Sequence, residues 1–342
     1  MKRIIPLCLA LVMTVGLLTG CGKQNEPAAS DETRLRVVTT IFPEYDWVRE
    51  ILGDKADNAE VTMLLDNGVD LHSYQPTADD IVKISECDLF IYVGGESDDW
   101  VDDALKNAAN KNRKVINLLE ALGERVKTEE VVEGMQEEEH DHDHDHEDTD
   151  EHDDAKEHDN EEEAEYDEHV WLSLKNAQTL CSAISSVLQQ IDPDNKDTYA
   201  ANASAYIKKL SALDADYQAA VNAAACKTVL FGDRFPFRYL AEDYGLRYYA
   251  AFAGCSAESE ASFETVSFLA GKVDELNLPC VLTIEGVQHK IAETIVRNTA
   301  AKNQKVLTMD SMQSTTSKDA ANGTTYLSVM ERNLSVLKEA LG

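Results

Sequence analysis

Nine histidines offer this chain of 342 residues its most obvious chemistry, and they fall into two unequal groups. Six of them, His140, His142, His144, His146, His152 and His158, lie in one acidic stretch, the first four alternating with aspartate in HDHDHDHED. Imidazoles and carboxylates in such a run can take up zinc or similar divalent ions. With no fixed partner to orient each ring, the run has no set coordination number, so it reads as a collector of metal and not as a selective site. The remaining three, His72, His169 and His289, stand in sequence that reads as folded.

Holding such residues in place takes strands and helices, and the apolar runs supply them in alternation. LRVVTTI, AEVTMLL, LFIYVGG and KVINLL read as strands of a first half, with PEYDWVREILG and DDWVDDALKNAAN as helices. Thr77, with Asp80 after it, forms a capping box that starts the helix running to Cys87. CKTVLFG, LRYYAAF, PCVLTIEG and QKVLTMD repeat the pattern, and a last helix is expected from about Asn322 to Leu341. This alternation predicts an α/β protein of two lobes, each with a four-stranded, mostly parallel sheet flanked by helices. Between them Tyr199, Ala203, Tyr206, Leu210, Leu213, Tyr217 and Val221 recur at helical spacing after Pro193. One long, rigid helix over 193–224 should therefore join a first lobe at 34–192 to a second at 225–342, and a stiff helix makes a poor hinge.

Loops at the carboxyl ends of parallel strands line the ligand crevice of such sheets. His72 follows the second strand in DLHSYQPTADD, and His169 precedes VWLSL where the acidic stretch ends. Asp233 and Arg234 follow the fifth strand, Cys255 and Glu258 the sixth, Glu285 and His289 the seventh, and Asp310 the eighth. Candidate ligands from both halves thus converge on one rim.

Charge and leader set the compartment. The formal net charge is −33, of which −19 falls between Glu137 and Glu168. That balance excludes nucleic acid as a partner and favours cations. With almost no apolar residues, the stretch at about 129–167 should be a disordered insertion in the first lobe. Lys2 and Arg3 precede the apolar run LCLALVMTVGLL, which ends in LTGC at Leu18 to Cys21. This describes a secretory signal over 1–20. A small residue before cysteine is the bacterial lipoprotein pattern, in which Cys21 carries lipid and 21–33 is a tether. The protein is therefore expected outside the cytoplasm, anchored to the cell membrane. Cys87, Cys181, Cys226, Cys255 and Cys280 lie in the body without CxxC spacing. Cys226 and Cys280, each before a strand, could bridge in an oxidising compartment; five buried thiols is the other reading.

The order LRVVTTIFPEYDWVREILGD, LDNGVDLHSYQPTADD, LFIYVGG, DEHVWLSL, TIEGVQHKIAETI and KVLTMDSM resembles the zinc/manganese class of solute-binding lipoproteins of ABC importers. The resemblance covers nearly the whole chain after Cys21. It implies two α/β lobes on a rigid backbone helix, and one divalent ion bound between them by His72 and His169 from the first lobe and Asp310 from the second. It further implies delivery to an importer permease with its ATPase. One departure stands in the second lobe. GDRFPFRYLAEDYGL places Arg234 where the family offers histidine or glutamate. A guanidinium has no acceptor and stays protonated, so it cannot coordinate a cation. His289 is the first choice to replace it, ahead of Glu258, Asp233, Glu285 and Cys255. Arg234 would instead hold an acidic residue in place.

Two imidazoles and a carboxylate suit four-coordinate zinc, whereas manganese prefers more oxygens. The expected function is capture of zinc, with manganese or iron behind it, by a monomeric carrier without catalysis. His140, His142, His144 and His146 would collect the ion first. A metallohydrolase would also cluster these residue types, but the sequence has no HExxH and no GxSxG. A zinc-buffering or adhesion lipoprotein on the same fold is the other rival.

Overall fold

In the computed structural model, which describes residues 34–106, 108–136, 165–256, 260–286 and 288–342, all eight expected strands form. The first half runs β1 (Leu35–Thr39), α1 (Phe42–Leu52), β2 (Ala59–Met63), α2 (Ala78–Glu86), β3 (Leu89–Tyr92), α3 (Trp100–Leu105), β4 (Lys114–Asn117) and α4 (Leu118–Leu122). Helices α5 (Leu174–Ile191) and α6 (Lys196–Ala223) lead into the second half. There β5 (Thr228–Arg234), α7 (Arg238–Tyr244), β6 (Arg247–Phe252), α8 (Phe263–Leu276), β7 (Cys280–Thr283), α9 (Lys290–Asn298) and β8 (Lys305–Thr308) are followed by α10 (Ser317–Ala321) and α11 (Tyr326–Leu341). Every named pairing is parallel, and the sheets share one strand order: β2-β1-β3-β4, then β6-β5-β7-β8. The second sheet is thus a topological repeat of the first.

Local chemistry accounts for most boundaries. All four residues of β3 are buried, as a strand covered on both faces requires. The capping box at Thr77 and Asp80 forms at the start of α2. The expected last helix begins later than Asn322. Gly323 takes a φ of 99°, and Thr325 then caps α11 with its own box to Ser328, so the segment is α10, a turn and α11.

Helix α6 has 28 residues, about 42 Å at 1.5 Å per residue, and its buried positions are Tyr199, Ala203, Tyr206, Leu210, Leu213, Tyr217 and Val221. It begins after a short turn at Pro193–Asn195. One apolar cluster runs from Trp47 and Ile51 of α1 through Leu210 and Tyr217 of α6 to Phe231 of β5 and Leu334 of α11. A second cluster, with Leu269, Val281 and Ile295, lies within the second half. Residues 35–342 accordingly form one unit with a main core common to both lobes.

The ends of the acidic insertion are placed. Thr128 pairs with Tyr166 in an antiparallel bridge, the Glu129 amide donates to the Glu165 carbonyl, and the Gln136 amide donates to the Ala251 carbonyl at the end of β6. Residues 129–136, expected within a disordered insertion, are therefore bound to the second half. His140, His142, His144, His146 and Cys21 lie outside the described residues. Among the described residues the five cysteines are free, so Cys226 and Cys280 form no bridge, and of the five expected buried thiols Cys226 and Cys255 are only partly buried. No helix there is long and apolar enough to cross a membrane.

Candidate metal centre

Two imidazoles from opposite ends of the first half meet edge to edge. His72 sits in a single helical turn, Leu71–Ser73, capped by Asp70, whose Oδ1 accepts the His72 amide at 3.0 Å. His169 is fully buried beside Trp171, and Asp167 Oδ1 accepts both its amide at 2.9 Å and its ring Nδ1 at 3.0 Å. His72 Nδ1 lies 2.8 Å from Ser97 Oγ and 3.4 Å from Glu168 Oε2. Glu168 is fixed in turn, because its Oε1 accepts the Ser97 amide at 2.9 Å.

Acceptors face both Nδ1 atoms and can hold the ring proton of each neutral imidazole there, which leaves each Nε2 free to ligate. The two Nε2 atoms are 3.4 Å apart. Tetrahedral zinc with Zn–N bonds near 2.05 Å separates two nitrogens by about 3.3 Å, so the pair already has the spacing of two ligands to one ion. Burial, and then the neighbouring His169 ring, push the His72 imidazole down to about 3, which favours the neutral, ligating form.

The second half closes the site from the other side. Cys255 follows β6, and its Sγ and one ring nitrogen each of His72 and His169 all lie within 4.8 Å of one another. Among the described residues no other group of three histidine, cysteine or acidic side chains is so close. Gly254 makes the approach possible: a Cβ there would stand 3.2 Å from the His169 ring and 3.0 Å from the Phe235 carbonyl. A bulge between Phe231 and Arg234 turns the end of β5 toward the cleft. Gly232 allows it, since a Cβ at that position would fall 2.5 Å from the Ala292 backbone of α9.

Arg234 then reaches across. Its Nη2 donates to Asp70 Oδ2 at 2.6 Å, and its Nη1 donates to the Ser256 carbonyl at 3.3 Å. Burial works against a charge on Asp70, but Arg234, and after it His72, hold its carboxyl below the usual range. Gln313, its amide turned so that nitrogen faces Asp70 at 2.8 and 2.9 Å, presents its oxygen to His169 Nε2 at 3.2 Å.

A model of the zinc-uptake complex component A family (ZnuA, periplasmic) matches residues 37–340. The chain belongs to this ZnuA family. It is 31% identical over 339 residues to a zinc-binding lipoprotein, AdcA, of Streptococcus pneumoniae, across 99% of this chain and 61% of that protein. It is also 31% identical over 327 residues to the high-affinity zinc uptake system protein ZnuA of Bacillus subtilis, across 95% of this chain and 94% of that protein. The Zn(II)-bound ZnuA-like domain of Streptococcus pneumoniae AdcA superposes with a TM-score of 0.66 at 29% identity, over 90% of this chain and 99% of that domain. The chain thus spans about three-fifths, 61%, of the AdcA length.

Among the described residues, none of the other expected ligands joins the close group around the imidazole pair. Asp310 uses Oδ1 to accept the Met312 amide at 2.9 Å and sets Oδ2 3.9 Å from Arg332. Glu285 accepts the Ser311 amide and hydroxyl and the Gln313 amide at 2.6, 2.7 and 3.0 Å, so it braces the loop that carries Gln313. Asp233 accepts the Thr283 hydroxyl at 2.6 Å, and Thr283 Oγ1 stands 3.1 Å from His289 Nδ1. His289 and Asp233 line the same cleft as Asp70 and His72, a space of about 730 Å³, but neither joins the close cluster. Glu258 lies outside the described residues. Sequence reasoning missed Asp70, Ser97, Asp167 and Gln313. Asp70 and Asp167 each stand two residues before a histidine, in DLH and DEH, and that spacing was the available signal.

Proposed function

We propose that this ZnuA-family protein captures one zinc ion between its lobes and hands it to the permease of an ABC importer. The observation that carries this is the pair of Nε2 atoms 3.4 Å apart, each ring fixed through its Nδ1. Paired imidazoles in a preset geometry select zinc ahead of manganese, which takes more oxygens. The family's role in zinc uptake and the zinc-binding relatives support the same cargo. Capture requires no catalysis. In this reading the chain is held outside the cytoplasm by lipid on Cys21, and the histidine-rich stretch gathers zinc for the fixed site. The permease and its ATPase receive the ion at the cleft.

Zinc titration against a competing chelator tests this. Removal of residues 137–164 leaves one tight equivalent, and His72→Ala or His169→Ala weakens it by at least about 100-fold, the upper end of what losing a mere supporting partner costs. Absence of any tight equivalent in the trimmed protein, or unaltered binding in both alanine variants, overturns the proposal.

A further inference from the structure

The geometry points to a role for one cysteine in the cargo site: we infer that Cys255 is a third protein ligand, binding as a thiolate alongside His72 and His169. This rests on the metal-capture reading above and specifies how the second lobe takes part in it.

Three observations support the assignment. The Sγ atom and a ring nitrogen of each histidine lie within 4.8 Å of one another, and this is the one such group among the described residues. A zinc-bound sulfur stands about 3.5 Å from a zinc-bound nitrogen, given Zn–S near 2.3 Å and Zn–N near 2.05 Å. Rotation of one short side chain covers the difference. The backbone that carries the thiol is fixed from both lobes. The Cys255 amide donates to Glu129 Oε1 at 2.8 Å, the Ser256 carbonyl accepts from Arg234, and Gly254 lies against the His169 ring. Of the described carboxylates expected from the second lobe, Asp310 accepts the Met312 amide, Glu285 braces the 311–313 loop and Asp233 accepts the Thr283 hydroxyl. Arg234, a cation, holds the loop and leaves coordination to its neighbour.

On binding, the S–H bond breaks, a Zn–S bond forms, and the proton passes to solvent. A set of two imidazoles and one thiolate is softer than two imidazoles and a carboxylate, and it moves the preference further from manganese toward zinc. It also gives Glu129 a purpose. The residue lies on the segment that leads to the histidine-rich stretch, so that segment and the thiol are linked by one hydrogen bond.

Cobalt(II) reports the ligand directly. One equivalent added to the reduced full-length protein should give an intense near-ultraviolet thiolate-to-cobalt band together with the visible bands of a four-coordinate ion. Cys255→Ser should remove the near-ultraviolet band, keep the visible bands, and weaken zinc binding about 100-fold, whereas Cys226→Ser should change neither. A band that survives in Cys255→Ser, or its absence from wild-type protein whose cobalt still depends on His72, overturns the inference. So does a result in which Asp310→Ala weakens zinc binding and Cys255→Ser does not. If cobalt and zinc bind equally well to the His72→Ala variant, the metal-capture reading itself fails, and this inference with it.

Discussion

Arg234 and Asp70 form an ion pair across the cleft, with Nη2 of one 2.6 Å from Oδ2 of the other. The pair ties the turn of His72 to the second lobe, because the second oxygen of Asp70 accepts the His72 amide. The same guanidinium holds the loop of Cys255 through the Ser256 carbonyl. Arg234→Ala should therefore weaken zinc binding about tenfold, the lower end of the cost of losing a partner that orients ligands. Arg234→Lys should do nearly the same, since a single ammonium lacks the planar fork that makes both bonds. Competition titration measures both, and unchanged affinity in the alanine variant removes the positioning role.

Gly254 is the second test of geometry. Gly254→Ala places a methyl group 3.2 Å from the His169 ring, where either the ring or the 253–256 loop must give way. Zinc affinity should fall roughly tenfold as the ring shifts from its preset position. The methyl group also comes within 3.0 Å of the Phe235 carbonyl at a buried position, so the metal-free variant should melt lower as well.

The lobes are joined by buried hydrogen bonds as well as by apolar packing. Tyr326 donates its hydroxyl to the Trp171 carbonyl at 2.7 Å, and its amide donates to Asp46 Oδ2 at 2.9 Å. Trp171 Nε1 donates to the Ser311 carbonyl at 2.9 Å. Tyr326→Phe should cost about 1–2 kcal/mol in urea unfolding, since it leaves a buried carbonyl unpaired. Solution scattering of wild-type protein should give the same radius of gyration with and without zinc. A marked compaction would contradict a joint this rigid.

Buried carboxyls give stability a direction in pH. Glu44 is fully buried; its Oε2 accepts the Thr40 amide and hydroxyl and the Ile41 amide, while Oε1 has no hydrogen-bond partner among the described residues. Burial pushes this carboxyl up to about 8, and burial pushes Asp46 up to about 7. The native state then keeps protons that the unfolded chain releases near the ordinary carboxylate range. The stabilisation is full below that range and is lost as pH rises toward about 8. The melting temperature should fall between pH 5 and 8, and Glu44→Gln should flatten the fall, with a gain on the order of 4 kcal/mol at the alkaline end. A profile that rises over this interval would refute the assignment.

Much of this architecture was legible in the sequence because it depends on periodicity and on a few stop signals. The seven buried positions of α6 follow from spacing alone, and the start of α2 follows from Thr77 and Asp80. The pairing of His72 with His169 came from motif order, since 97 residues separate them and no local pattern links them. What stayed hidden depends on tertiary approach. Cys255 was one of several open choices for the second lobe, and its closeness to both imidazoles, which His289 does not share, is set by the fold and not by any local pattern. The placement of residues 129–136 was hidden for a different reason. Composition shows that such a segment lacks a core of its own, but not that β6 offers it a carbonyl.

In the transport reading proposed above, the apolar cluster that runs without interruption from α1 through α6 to α11 limits how a permease could read this molecule. A carrier whose halves share one interior keeps nearly the same silhouette whether loaded or empty. A receptor that must turn away empty carriers therefore has little outline to compare. It is left with the rim of the cleft, where the turns bearing His72 and Arg234 reach the surface and where filling the site would alter local charge and order.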